Sequence, residues 1–219
     1  MLIDSSFKDY FSNEMVFVKA HAEDTDSLTA KKYNVSGFPT FVLTDSKGVE
    51  IDRIVGYLPT EEFLAKINDY MNGIGTLEDL LSKVEGSKDR TLYFEIADKY
   101  KYRGSPDDAK SWFEKVITDG EPTDSLSGEA RFSLADMMRR NKDFDGSIAS
   151  FRAIKKEFKG TTFAETASLY IPYVTMKKGD TTNAVMEFEK FIKEFPESEN
   201  VKYAKTKISE LKGEETESK

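Results

Sequence analysis

Three segments of this chain, GSPDDAKSWFEKVI (104–117), KDFDGSIASFRAIK (142–155) and KGDTTNAVMEFEKFI (178–192), superpose on one small residue each. Those residues, Ala109, Ser147 and Ala184, lie 38 and 37 residues apart, and each is followed four residues later by Phe113, Phe151 or Phe188. A period of this length marks an array of supersecondary units rather than one closed core. Amphipathic stretches such as LYFEIADKYKYR and ARFSLADMMRRN precede the units, so each predicts a helical hairpin whose neighbours complete its core. The small residue lets one helix approach the other, and the phenylalanine one turn later fills the gap between successive pairs. Pro172, inside SLYIPYVTMKKG, predicts a kink, because it lacks an amide donor and crowds the preceding turn. FPESENVKYAKTKISELKG predicts a closing helix, and GEETESK a solvated tail.

Ahead of this array the pattern is different. SSFKDYFSN (5–13) spaces Phe7, Tyr10 and Phe11 as a short helix, and MVFVKAHA (15–22) has the β-branched and aromatic content of a buried strand. DSLTAKKY predicts a helix capped by Asp26 or Ser27, and TFVLTDSKGVEIDRIVGY two strands around a DSKG turn in which Gly48 takes positive φ. TEEFLAKINDYMNG predicts a helix with Thr60 as cap, Phe63, Leu64, Ile67, Tyr70 and Met71 on one stripe, and Gly73 as stop. The order expected is αβαββα, followed by helices alone.

The composition narrows the chemistry. With 32 basic against 40 acidic side chains and a net charge of −8, no basic face for phosphate is expected, which argues against nucleic acid. The longest apolar runs are too short to span a bilayer. The chain contains no cysteine, so its own residues supply no disulfide, thiolate ligand or thiol nucleophile. His21 is the sole histidine and has no suitably spaced ligand partners, EDTD (23–26) reads as a loop with a helix cap, and NGIGT lacks the glycine spacing of a dinucleotide site. Trp112 reads as repeat packing, and the pairs Glu61–Glu62 and Asp107–Asp108 as helix-start charges. No catalytic, cofactor or metal residues are predicted.

Residues 1–72 resemble the C-terminal two thirds of a thioredoxin-fold domain, through KKYNVSGFPTFVL, DSKGVEI and RIVGY in that order. The resemblance implies a cis proline at Pro39, with the backbone beside it pairing with an extended peptide and Gly56 facing it. The peptide site implied is Phe38, Pro39, Thr40 and Gly56. A trans proline at a strand edge is the plainer alternative. The strand, helix and central strand that end in the redox motif of that family have no counterpart, which predicts a fragment. Segments 15–21 and 40–44 would then pair directly, a second molecule would fill the gap as a homodimer, or this part would stay loose while the repeats remain folded, the first two being favoured.

Residues 90–212 resemble tetratricopeptide repeats, on Tyr93, Ile96, Ala97, Tyr100, Gly104, Ala109, Phe113 and Pro122 in the first unit; AVMEFEKFIKEFPESENVKYAK resembles a variant of bacterial envelope proteins. Such repeats imply a concave groove lined by the first helix of each pair. It would present Phe94, Asp98, Lys101 and Tyr102, then Phe132, Asp136, Arg139 and Arg140, then Leu169, Tyr173, Met176 and Lys177. The same positions also suit half-buried or solvated sites of ordinary helices.

The fold expected is therefore α/β plus all-α: a partial thioredoxin-like sheet (1–74), a linker helix (75–89), a helical-hairpin solenoid (90–212) and a tail (213–219). The function expected is binding of a protein or extended peptide, without catalysis. Two alternatives are a piece of an envelope thiol-disulfide oxidoreductase whose cysteines lie upstream of Met1, and a purely structural scaffold. A cytoplasmic location follows if Met1 is the true start, and a periplasmic or envelope one if a signal peptide precedes it.

Overall fold

The computed structural model describes residues 15–21 and 27–213. The helix expected at 5–13, the EDTD loop and the tail after Gly213 lie outside the described residues. Two compact units, Met1–Trp112 and Phe113–Lys219, make up the chain.

The first unit opens with helix α1 (Ser27–Lys32), then strands β1 (Thr40–Thr44) and β2 (Glu50–Val55). The strands pair antiparallel from Thr40 with Val55 to Thr44 with Glu50, with an irregularity between Leu43 and Thr44. Their turn is held by the Asp45 carboxylate, which accepts from the Lys47 and Val49 amides at 2.8 and 2.9 Å, while Gly48 takes φ +74°. Helix α2 (Thr60–Met71) lays Phe63, Ile67 and Tyr70 against Ile54, with Phe41 and Phe63 in edge contact at 4.7 Å. On the flank of that stripe Leu64 is half-buried and Met71 is exposed.

Two expectations for this unit fail. Residues 15–21 form no strand, and no direct pairing with 40–44 exists. The sheet among the described residues has two strands and 15–21 is not one of them, so the β-propensity of Val16, Phe17 and Val18 is not realised, and all three side chains are exposed. Met15 packs onto the core. Nor does Thr60 cap α2. It is the first helical residue, and Pro59 holds the cap position with φ −53° and ψ 151°, its carbonyl accepting from the Phe63 amide at 2.9 Å.

Helices α3 (Leu77–Val84) and α4 (Arg90–Arg103) complete the first unit, with α5 (Pro106–Thr118) carrying the division between units. Thr76 caps α3 by accepting from the Asp79 amide, and Asp79 reaches back to the Gly75 amide. Leu77, Leu80 and Ile96 form a core patch with Leu81, Leu92, Tyr100 and Trp112, and Trp112 meets Tyr93 at 5.6 Å.

The second unit continues with α6 (Ser125–Arg140), α7 (Phe144–Glu157), α8 (Thr162–Lys177), α9 (Thr181–Glu194) and α10 (Val201–Lys212). Asp124, Asp143 and Asp180 cap α6, α7 and α9 through side-chain bonds to the amides of Ser127, Gly146 and Asn183. Ala109, Ser147 and Ala184 have no exposed surface, and neither do Phe113, Phe151 and Phe188. Serine is accommodated at the second repeat because its hydroxyl donates to the Ala135 carbonyl at 2.8 Å. Helix α8 runs through Pro172, which is buried. One core cluster joins Ala135, Ile148, Phe151, Ile154, Ala167, Ile171 and Val174, and a second joins Phe188, Phe191 and Ala204.

Candidate protein-binding surfaces

At one end of the hairpin, the Phe38–Pro39 peptide is cis. Gly56, at φ +91°, donates its amide to the Pro39 carbonyl at 2.8 Å, and the Thr40 hydroxyl donates to the Gly37 carbonyl at 2.8 Å. The backbone thus brings Phe38, Pro39, Thr40 and Gly56 together. The hydrogen bond between Pro39 and Gly56 is flanked by two aromatic side chains in solvent, Phe38 at 66% and Tyr57 at 70% exposure. Tyr57 was not singled out in the sequence, although it directly follows Gly56 in RIVGY.

Along β2, toward its turn with β1, lies a buried ionic network. The Asp52 carboxylate is fully buried and accepts from the amides of Arg53 (2.7 Å) and Leu77 (2.8 Å) and from the Lys99 ammonium (2.9 Å), with Arg103 3.3 Å away. Lys99 also donates to the Tyr70 hydroxyl at 3.2 Å. Burial pushes Lys99 below the ordinary lysine value despite its bond to Asp52, and burial, with the Asp52 charge, holds Tyr70 well above the ordinary phenol value. Arg53 donates to Glu50 and to the carbonyls of Tyr33 and Tyr102, so one guanidinium ties the ends of α1 and α4 to β2. The network consists of ion pairs and hydrogen bonds, with the buried Arg103 Nε making no hydrogen bond although it stands 3.4 Å from Glu50, and it fixes α4 rather than offering a reactive group.

The candidates on α4 follow from that placement. Asp98 pairs with Lys101, whose ammonium lies 4.5 Å over the Tyr102 ring, while the Tyr102 carbonyl is committed to Arg53. Phe94 is half-buried on the same helix.

In the second unit the candidates separate into two groups. Phe132 packs inward, 5.0 Å from Phe151 and 4.7 Å from Tyr170, and Leu169 packs on the Phe188, Phe191 and Ala204 cluster. Both serve the core. Asp136 accepts from the Nε atoms of Arg139 and Arg140, each at 2.7 Å. Burial acts to raise Asp136, but those bonds and charges outweigh it and hold the carboxyl below the ordinary value. Arg139 and Lys177 each lie 5.6 Å from the centre of the Tyr173 ring, so α6 and α8 share one aromatic and cationic surface, with Met176 half-buried beside Lys177. Tyr170 continues it at 5.8 Å from Tyr173. On α10, Tyr203 carries Lys207 at 5.6 Å and interacts electrostatically with Tyr173. Reading α10 as a closing helix passed over Tyr203 and Lys207; their spacing, i and i+4, was the available signal.

Among the described residues no group of three or more histidine, aspartate or glutamate side chains could hold a metal ion, and His21 is exposed. No helix of the described residues is long and apolar enough to cross a membrane.

These elements define a thioredoxin-like α/β start followed by a region of helical repeats of the tetratricopeptide type. The family model of the thioredoxin-like domain matches residues 4–71, and that of YfiO, an outer membrane lipoprotein, matches residues 127–206. No curated protein matches the chain. The two domains together support a role in protein binding.

Proposed function

We propose that this chain is a non-catalytic binding protein whose α6, α8 and α10 face receives an extended segment of a partner. The carrying observation is the aromatic and cationic row along α6, α8 and α10, in which Tyr170, Tyr173 and Tyr203 are interleaved with Arg139, Lys177 and Lys207. Tyrosine offers large area at low conformational cost together with a polar end, and arginine adds planar donors, a combination enriched where proteins bind. The exposed pair Phe38 and Tyr57, beside the cis Pro39, supports a second contact for peptide at the hairpin. Absence of thiolate chemistry follows from the sequence, since these 219 residues include no cysteine. The β1 edge away from β2 has no strand partner among the described residues, which supports a homodimer through the sheet as a further mode of association.

The thioredoxin-like match also supports the reading in which the redox cysteines of an oxidoreductase belong to residues preceding these, and the likeness of 127–206 to an outer membrane lipoprotein supports an envelope location. Screening the chain and its Tyr173→Ala, Phe38→Ala and Tyr57→Ala variants against an array of random extended peptides tests the main reading. Binding should occur and should weaken at least about tenfold with Tyr173→Ala. No binding to any peptide, or binding indifferent to all three substitutions, overturns it. Insulin reduction by the 219 residues should equal the blank, and reduction gained on adding the natural upstream segment would favour the oxidoreductase.

A further inference from the structure

Helix α4 ends in two carbonyls that are met from another part of the fold. The last four carbonyls of any helix lack an intrahelical donor. In α4 the Gly104 amide, at φ +78°, turns back to the Lys101 carbonyl at 3.4 Å, and the Ser105 amide to the Tyr100 carbonyl at 3.0 Å. The carbonyl of Tyr102 accepts from the Arg53 guanidinium, and that of Arg103 from the Asn34 side-chain amide at 3.1 Å. Both donors bear on the approach to Pro39. Asn34 opens the 34–38 segment, and Arg53, which pairs with Glu50, also donates to the Tyr33 carbonyl just before it at 2.8 Å. Asn34 sits at φ +50°, a conformation asparagine tolerates better than most side chains. Gly104 completes the fit: a Cβ there would stand 2.8 Å from the Asn34 Cβ, so the bare backbone serves this close approach as well as the turn. At its other end the segment is tied by the Thr40 hydroxyl on the Gly37 carbonyl and by the Gly56 amide on the Pro39 carbonyl.

Resting on the reading that the hairpin end offers a second contact for peptide, we propose that Asn34 and Gly104 are positioning residues for that contact: with Arg53 they make the C-terminal end of α4 a clamp that holds the 34–38 segment, and the exposed Phe38 with it, in place before a partner arrives. A segment already ordered gives up less conformational freedom on binding, so the clamp strengthens the contact without touching the partner. Arg53 is buried and serves the ionic network of β2 as well, whereas Asn34 is exposed and can be altered without opening the core.

The test reads backbone order in the full chain by NMR relaxation, together with the fluorescence anisotropy of a labelled, amidated heptapeptide of alternating threonine and valine between terminal lysines. In the parent the amides of 35–38 should have order parameters of about 0.85. Asn34→Asp keeps the size and the tolerance of positive φ, but sets a carboxylate against the Arg103 carbonyl at the negative end of the helix dipole. Order parameters of 35–38 should then fall below about 0.6, while those of β1 and β2 and the melting temperature stay at parent values. Gly104→Ala should loosen the same segment by meeting Asn34, and should loosen it no further once Asn34→Gly has removed that side chain. The peptide should bind the parent, weaken at least about fivefold with Phe38→Ala, and weaken to a similar degree with Asn34→Asp. Unchanged order at 35–38 in both Asn34→Asp and Gly104→Ala overturns the clamp. A loosened segment with the same peptide affinity overturns its role in binding. A loosened segment in a chain that binds no peptide, or whose affinity ignores Phe38→Ala, overturns the hairpin contact and leaves the clamp as architecture alone.

Discussion

The Lys99 ammonium lies 2.9 Å from the carboxylate of Asp52, although the two residues are 47 positions apart and the carboxylate has no exposed surface. Arg103 stands 3.3 Å from the same oxygen. Asp52→Ala would leave both cations without their buried counter-charge. The expected cost is about 3–5 kcal/mol, read as a lower denaturant midpoint of the first unit by circular dichroism. Lys99→Met, which removes a charge while keeping the stem's packing, should cost clearly less because Arg103 and two backbone amides still satisfy Asp52. A milder loss for Asp52→Ala than for Lys99→Met would contradict this account.

Gly128 reports on packing alone, since its backbone is helical. A Cβ there would sit 2.9 Å from the Phe163 ring and 3.0 Å from the Phe158 ring, and those rings already touch edge to face at 5.4 Å. Gly128→Ala raises helix propensity yet should destabilise the second unit by about 1–3 kcal/mol through overpacking. A raised melting temperature would show that the two rings give way freely.

Asp136 supplies a pH dependence. Burial would raise its carboxyl, but the bonds from Arg139 and Arg140 prevail and its folded value lies below the unfolded one. The stabilisation is therefore fully present above the unfolded value of about 3.9, and it is lost as pH falls through the folded value. Melting temperatures of the parent and Asp136→Asn should differ most near neutrality and converge toward pH 2. A gap that stays constant down to that pH would mean that Asp136 contributes no linked protonation.

The Asp124 side chain accepts from the Ser127 amide at 2.8 Å at the start of α6. Asp124→Ala removes that bond and should cost about 1 kcal/mol, whereas Asp124→Asn should recover most of it. Urea titration of the three proteins checks this, and equal losses for alanine and asparagine would assign the effect to charge rather than to capping.

Local patterns were legible in the sequence. The repeat of Ala109, Ser147 and Ala184 with its phenylalanines, the Asp45–Gly48 turn and the helix order all follow from spacing over a few residues, where one side chain constrains its near neighbours. The residues gathered around Pro39 were expected from the resemblance to the thioredoxin fold rather than from spacing, and the hairpin register, with Thr40 opposite Val55, is what sets Gly56 beside them.

Other features depended on what lies far along the chain. Strand propensity at 15–21 is realised only where the segment is brought beside a strand, and no local signal states whether that happens. Phe132 and Leu169 share a helical stripe with Arg139 and Tyr173, yet packing turned them into the core because large apolar side chains gain more from burial than from an open face. Tyr203 and Lys207 joined the surface only when α10 came to lie beside α8. Asp52, Lys99 and Arg103 look in the sequence like ordinary surface charges. Only tertiary structure brings them out of water together, since a charge is buried at acceptable cost only where partners from distant segments converge on it.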